Sequence, residues 1–208
     1  IRVEKGISRI NVKLKGKEES EVNGKGPAIL EEDIRKLHRQ LQRLKDGDLL
    51  VLAGSIPDVM PDSAYMDIME LLKGKDLKIV VDATGGLLVK ALPYRPFLVK
   101  PNNHELGEIF HTEISTASEA LEYAQKMREM GAKNVLVSMA GKGAVLADEN
   151  GKTYQTKPPK GKVVNSVGAG DSMVAGFLAG FLKTGDYREA FLTGVCAGSA
   201  SAFSRELA

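Results

Sequence analysis

The chain has 208 residues and carries 29 Lys and Arg against 27 Asp and Glu, a formal net charge of +2 at pH 7. Charge so nearly balanced leaves no electrostatic footprint for nucleic acid or a membrane surface, and no apolar run of about 18 residues offers a membrane-spanning helix. With 43% hydrophobic and 27% charged residues, the composition is that of a folded globular protein and excludes a disordered chain.

In chain order, residues 8–14 and 19–23 alternate polar and apolar side chains around Lys15-Gly16-Lys17, the pattern of an antiparallel pair with one wet face. Such a pair stands apart from a main sheet and suits a lid, with Asn23-Gly24-Lys25-Gly26-Pro27 as the return to the body. Residues 31–45 then place Ile34, Leu37, Leu41 and Leu44 on one helical stripe, and residues 61–73 do the same with Tyr65, Ile68, Met69 and Leu72. Residues 115–130 align Leu121, Ala124 and Met127, with Gly131 as the C-terminal stop. Between these helices lie the aliphatic runs 48–54, 77–84, 96–102 and 134–140, which read as strands buried on both faces. Strand–helix repetition predicts parallel pairing, with right-handed crossovers carrying helices to both faces of the sheet. Residues 143–148 and 152–156 flank Glu149-Asn150-Gly151, a hairpin signal. After Pro158-Pro159 a loop runs to Asn165, and two helices rich in Ala, Gly and Ser follow, over 171–183 and 186–204. The expectation is an α/β protein with a small lid over 1–27 and one body over 28–208.

The sole cysteine, Cys196, excludes an internal disulfide and fits a reducing, cytoplasmic compartment. The chain opens on Ile1 with no charged-then-apolar leader, so no secretory signal is expected, and the natural start need not be Ile1.

Several familiar patterns fail. Gly151-Lys152-Thr153 has the tail of a phosphate-binding P-loop, but its first position falls on Leu146 and it sits on a hairpin. Gly168-Ala169-Gly170 puts Met173 where a dinucleotide fingerprint needs glycine, and His104-Glu105 meets Glu108 where a zinc protease needs histidine. Three histidines and one cysteine, scattered along the chain, do not make a zinc site.

What remains is Asn165-Ser166-Val167-Gly168-Ala169-Gly170-Asp171, directly ahead of an apolar helix. Small residues at 168–170 let backbone N–H groups converge at a helix N-terminus, where the macrodipole adds positive charge. That is an anion hole suited to a phosphate, and Asp171 is a carboxylate placed to accept a proton from a hydroxyl. The plainer reading is a Gly-rich turn with Asp171 as an ordinary helix-start residue.

The stretch Val167-Gly168-Ala169-Gly170-Asp171-Ser172-Met173-Val174-Ala175 resembles the C-terminal signature of the ribokinase-like sugar kinases, the phosphofructokinase-B group. The resemblance implies a three-layer fold with a mostly parallel sheet, helices on both faces and an antiparallel β lid. It implies Asp171 as the catalytic base, with Gly168, Ala169 and Gly170 as the anion hole. Lys100-Pro101-Asn102-Asn103-His104-Glu105 carries the family's Asn-x-x-Glu at a strand end, where ligands gather in open α/β sheets. There the resemblance gives Asn102 and Glu105 to the waters of Mg²⁺ and Lys100 to phosphate oxygens. The residues alone equally allow an N-cap and its capping-box partner, beside a solvated lysine.

Asp82, at the end of 77–84, is often part of the family's metal and phosphate network, though it could cap a loop instead. Ser138-Met139-Ala140-Gly141-Lys142-Gly143 resembles the nucleotide loop, implying Ser138, Gly141 and Gly143 against ATP; unaided it is a strand connector. Ser166 joins the nucleotide residues on the same ground. Gly198, in the last helix, resembles the wall near adenine, or serves helix packing. Ser8-Arg9 matches the lid arginine that grips the sugar phosphate, since a guanidinium offers forked donors to phosphate oxygens, and Gly54-Ser55 matches a loop beside the sugar.

The implied reaction is ATP-dependent phosphorylation, with Mg²⁺, of fructose 1-phosphate to fructose 1,6-bisphosphate, because 8–14, 96–110 and 160–203 look closest to bacterial 1-phosphofructokinases. Tagatose-6-phosphate kinases come next, and a catalytically silent nucleotide-binding module is the alternative of another class. Partners are then a phosphosugar and ATP, with no nucleic acid or membrane, and a homodimer formed through the lid. Two departures stand out. Arg205-Glu206 replaces an acidic residue and a glycine usual in the subgroup. The family also carries a longer front, with a Gly-rich sugar loop and a sugar-binding aspartate, so this chain is expected to lack the N-terminal part.

Overall fold

A computed structural model describes residues 1–3, 6–15, 19–57 and 60–205. Its elements in chain order are β1 (Asn11–Lys15), β2 (Glu19–Asn23), α1 (Glu31–Leu41), β3 (Leu49–Ala53), α2 (Ala64–Leu71), β4 (Lys78–Asp82), α3 (Gly85–Ala91), β5 (Leu98–Val99), α4 (Asn103–Phe110), α5 (Ala117–Glu129), β6 (Asn134–Ser138), β7 (Ala144–Ala147), β8 (Thr153–Thr156), α6 (Ala169–Thr184) and α7 (Tyr187–Phe203). Strands β3 to β8 form one six-stranded sheet in sequence order, parallel from β3 to β6 and antiparallel from β6 to β8. Strands β1 and β2 make a separate antiparallel sheet with Val12 opposite Val22. The turn expected at Lys15-Gly16-Lys17 lies, from Gly16 on, outside the described residues, as does the chain end from Glu206.

Because side chains alternate along a strand, each buried strand feeds two cores. Val81, Val99, Val135 and Val137 face a layer that includes α2, α3, α4 and α5. Val80, Leu98 and Leu136 face the other way, against Val174, Phe177 and Phe191 of α6 and α7. The three layers expected from the sequence are present, but by a different route. With the parallel strands in sequential order, every right-handed crossover returns on the same face. The opposite face is covered by α6 and α7, which follow the β7–β8 hairpin.

Two expectations change. Strand β3 is not buried on both faces, since among the described residues it pairs only with β4 and leaves Val51 41% exposed. In and beside the β1–β2 sheet, Ile10, Val12, Leu14 and Val22 are all exposed, so its apolar face is not covered by the six-stranded sheet and its helices.

Helices α6 and α7 approach to backbone contact. A Cβ on Gly176 would stand 2.6 Å from Ala197 Cβ, and one on Gly194 would stand 2.8 Å from Met173 O. Small residues therefore fix where α6 begins, which is where the sequence concentrates its anion-binding signal.

At the opposite end of the sheet, Asn134 is wholly buried. Its Nδ2 donates to Phe97 O at 2.7 Å, and its Oδ1 accepts from Glu149 N at 2.9 Å. Glu149 also accepts a hydrogen bond from the Tyr187 hydroxyl. The knot ties β5, β6, the hairpin and α7 together. Asn134→Leu keeps the volume but orphans Phe97 O and Glu149 N–H, so the unfolding free energy should fall by about 2–3 kcal/mol. A lower urea midpoint at unchanged m-value would confirm it.

Candidate active site

The C-terminal ends of β4, β5 and β6 open toward the first turn of α6. Asp82 closes β4 and Lys100 follows β5. The lysine is only 6% exposed, and its Nζ lies 3.3 Å from Asp82 Oδ1. A Cβ on Gly170 would stand 3.2 Å from that Nζ, so the ammonium lies close against the first turn of the helix. Burial pushes the Asp82 carboxyl above the usual range; Lys100 opposes the rise, and the charges of Asp171 and Glu105 add to it. Asp82 therefore feels one ammonium and two further carboxylates at this sheet end.

Gly168 is the N-cap of α6, with φ +77° and no side-chain cap. The left-handed conformation suits glycine, since a Cβ there crowds the carbonyl. Ala169 N donates to Ser166 O at 3.2 Å, while the amides of Gly170 and Asp171 belong to the first turn, which has no intrahelical acceptors. The exposed Asp171 carboxylate stands on that turn. The approach loop is held by Val167 N to Asn165 Oδ1 at 3.3 Å and by Val164 N and Asn165 N, which both donate to Ala202 O.

On α4, Asn102 Oδ1 accepts from His104 N and Glu105 N, and Glu105 Oε2 accepts from Asn102 N at 2.8 Å. The capping box is therefore real. It occupies one oxygen of each residue, leaving Glu105 Oε1 and the Asn102 amide nitrogen outside it. Asn102 also bridges to Ser138 beside it, where Ser138 N donates to Pro101 O at 3.2 Å. Among the described residues no three His, Cys, Asp or Glu side chains group so as to hold a metal ion directly.

The stretch 138–143 is a tight connector from β6 to β7, closed by Met139 N to Gly143 O at 2.8 Å. Gly141 is exposed with open space around it, whereas Gly143 is buried with φ +102°, and a Cβ there would fall 2.0 Å from Thr156 O. Its glycine answers to strand β8. Gly198 is likewise turned into the fold: a Cβ would stand 2.9 Å from Ala169 O and 3.2 Å from Met173 Cβ. The Cβ direction of Gly198 thus serves helix packing against the start of α6.

The segment ahead of β1 meets the main sheet at its β3 edge. Arg9 Nη1 donates to Ser55 Oγ at 2.8 Å, joining residues from the lid and from the turn after β3. Gly26 lies beneath, where a Cβ would stand 3.3 Å from Arg9 Cβ. Sequence reasoning placed Tyr65 only on an apolar stripe. Its hydroxyl in fact donates to Ala53 O at 2.9 Å and Gly54 O at 3.0 Å, at the end of β3. The polar tip of a tyrosine on an otherwise apolar helix face was the available signal, because a buried phenol seeks an acceptor. Taken together, a cation, hard oxygen donors, a helix N-terminus and an exposed carboxylate form a site able to hold a polyanion and take up a proton.

Comparison with known proteins assigns the chain to a class. Residues 3–208 match the pfkB family of carbohydrate kinases, and the chain belongs to that family. Among its relatives, the 1-phosphofructokinase of Bacillus subtilis is 53% identical over 203 residues, covering 98% of this chain and 67% of its own length. The D-tagatose-1-phosphate kinase of Bacillus licheniformis is 34% identical, covering 97% and 66%. A crystal structure of a putative phosphofructokinase from Staphylococcus aureus superposes with a TM-score of 0.83 at 38% identity, covering 95% of this chain and 64% of that one. The ribokinase-like architecture expected from the motifs is the one observed. The chain spans about two thirds of the length of the curated relatives it matches.

The buried ion pair yields a test. Lys100→Met strands Asp82 without its cation and should lower stability at pH 7 by about 3 kcal/mol. Because Asp82 titrates higher in the folded state than in the unfolded chain, its contribution is fullest at acid pH and is lost as pH rises through the folded value. Removing Lys100 deepens that loss and moves it to higher pH. Lys100→Met with Asp82→Asn should recover most of the stability, as followed by denaturant titration between pH 4 and 8.

Proposed function

We propose that this chain is the catalytic portion of an ATP-dependent kinase that converts fructose 1-phosphate to fructose 1,6-bisphosphate. The observation that carries the reading is the Lys100–Asp82 pair seated under the glycine-bearing first turn of α6, beside Asp171. The 53% identity to a 1-phosphofructokinase supports the choice of substrate.

In this reading Arg9 and Ser55 hold the 1-phosphate of the sugar and present its C6 hydroxyl to Asp171. The hydroxyl oxygen bonds to the γ-phosphorus of ATP as its proton passes to the Asp171 carboxylate. The bond from phosphorus to the β–γ bridging oxygen breaks, and ADP leaves with that electron pair. At 168–170 the Gly170 amide, with that of Asp171 beside it, faces the transferring phosphoryl oxygens, while Gly168 caps the helix and Ala169 N is held by Ser166 O, so the charge is met by fixed dipoles. Lys100 meets phosphate oxygens from the sheet side, and Ser138, Gly141, Gly143 and Ser166 line the nucleotide. Gly198 supports them from behind by fixing the start of α6.

Mg²⁺ suits the oxygens on offer. Asp82 and Glu105 Oε1 are hard donors that do not close a cage, which matches an ion that keeps waters and takes other ligands from phosphates. Those two carboxylates would hold it through its water, with Asn102, whose Oδ1 is taken by the amides of His104 and Glu105, fixing Glu105 beside it, and it would supply neutralisation of phosphate charge. The exposed apolar face of the lid, Ile10, Val12, Leu14 and Val22, supports pairing of two lids in a homodimer. A cytoplasmic site of action, where ATP is supplied, goes with the same reading.

A second substrate is favoured by one specific relative. The tagatose enzyme is named for the 1-phosphate, so tagatose 1-phosphate is the competitor, in place of the 6-phosphate expected from sequence. The two ketoses differ only in configuration at C4. A panel of phosphosugars offered to the intact protein with ATP should give the highest kcat/KM for fructose 1-phosphate. Transfer to none of them, with ATP still bound, would instead make this a silent nucleotide-binding module. Asp171→Ala should lower kcat by at least about 10²-fold, the usual range for a lost general base, with the Kd for ATP nearly unchanged. Near-normal turnover would remove Asp171 from the chemistry.

A further inference from the structure

Arg9 and Ser55 are both exposed, on segments with little support of their own. Strand β3 has only β4 as a ladder partner among the described residues, and the turn that follows depends on other restraints. Two are visible. Gly54 N donates to Asp82 O at 3.0 Å, extending the β3–β4 ladder by one bond. The second is the Tyr65 hydroxyl, shared between Ala53 O and Gly54 O. Tyr65 is 7% exposed and stands on the first turn of α2, whose Ile68 and Met69 are packed in the core. The ring is therefore anchored, and its hydroxyl reaches the turn from a rigid base.

From these contacts we infer that Tyr65 is a positioning residue for the sugar-phosphate end of the site: its hydroxyl holds the 53–55 turn so that Ser55 presents Oγ to Arg9. The chain of contacts runs from α2 through Tyr65 to the Gly54 and Ser55 turn, and from Ser55 to the lid arginine. Gly54 makes the turn with φ +83°, a conformation open to glycine but easily lost if its carbonyl is released. Burial, followed by the negative charge of Asp82, raises the Tyr65 pKa, so the phenol remains a proton donor at neutral pH. Tyr65 touches no reacting atom. It acts through Ser55 and Arg9, and it does so next to the strand that carries Asp82.

The inference rests on the proposed sugar-kinase reading, and two readouts separate them. In the intact protein, Tyr65→Phe deletes the hydroxyl while keeping the ring. The KM for fructose 1-phosphate should rise about tenfold, the effect of one buried hydrogen bond, with kcat, the KM for ATP and Tm nearly unchanged. Adding Tyr65→Phe to Arg9→Ala should raise that KM no further, because both act on one contact. Independently of activity, hydrogen exchange across 54–56 should quicken about tenfold in Tyr65→Phe. An unchanged KM, an effect that adds to that of Arg9→Ala, or a fall in kcat accompanied by a lower Tm would each overturn the positioning role. If the wild-type protein turns over no phosphosugar, the kinase reading falls, and exchange alone decides: faster exchange confined to the turn upholds Tyr65 as its tether, and unchanged exchange refutes it.

Discussion

A buried ammonium beside a half-buried carboxylate is the constraint around which the site is built. Desolvating Lys100 would be costly if Asp82 were not 3.3 Å away, and Asp82 would hold its proton more tightly without Lys100. The pair therefore requires β4 and β5 to end side by side, which parallel pairing of Val81 with Val99 ensures. The neighbouring helix start lies close to the pair as well, since a Cβ at Gly170 would stand 3.2 Å from the ammonium and crowd it.

The position of that helix start is settled at a distance. Glycines along α6 and α7 bring the two helices to backbone contact, and Gly198 presses against Ala169 O. The loop ahead of α6 is bonded to the carbonyl of Ala202 near the end of α7. A site made mostly of amides needs such rigidity, because dipoles stabilise charge well only when they are already oriented. The same stretch of small residues, read as a nucleotide wall or as packing, serves packing at Gly198 and shapes the site through it.

Much of this was legible in the chain. The aliphatic runs marked β3, β4 and β6 to within about a residue or two at their ends, as boundaries usually allow, and Glu149-Asn150-Gly151 marked the β7–β8 hairpin. The run at 96–102 was harder to read, since only Leu98–Val99 pairs as strand and the rest bends toward α4. Helix α3 gave no signal because it opens on Gly85-Gly86, poor helix formers held there by tertiary packing of Leu88 and Ala91. Asn102 and Glu105 were readable both as a capping box and as donors toward a metal. The structure makes the first bond set visible and leaves Glu105 Oε1 outside it.

The order of small residues and Asp171 before an apolar helix specified a carboxylate and unpaired amides at a helix start, because these are local consequences of chain geometry. The continuous aliphatic runs specified strands with two buried faces. Only the tertiary structure decided which face each helix covers, that Lys100 pairs with Asp82, and that Arg9 meets Ser55 across 46 residues. Those contacts depend on which strand ends are neighbours in space. Periodicity along the chain carries no record of that order.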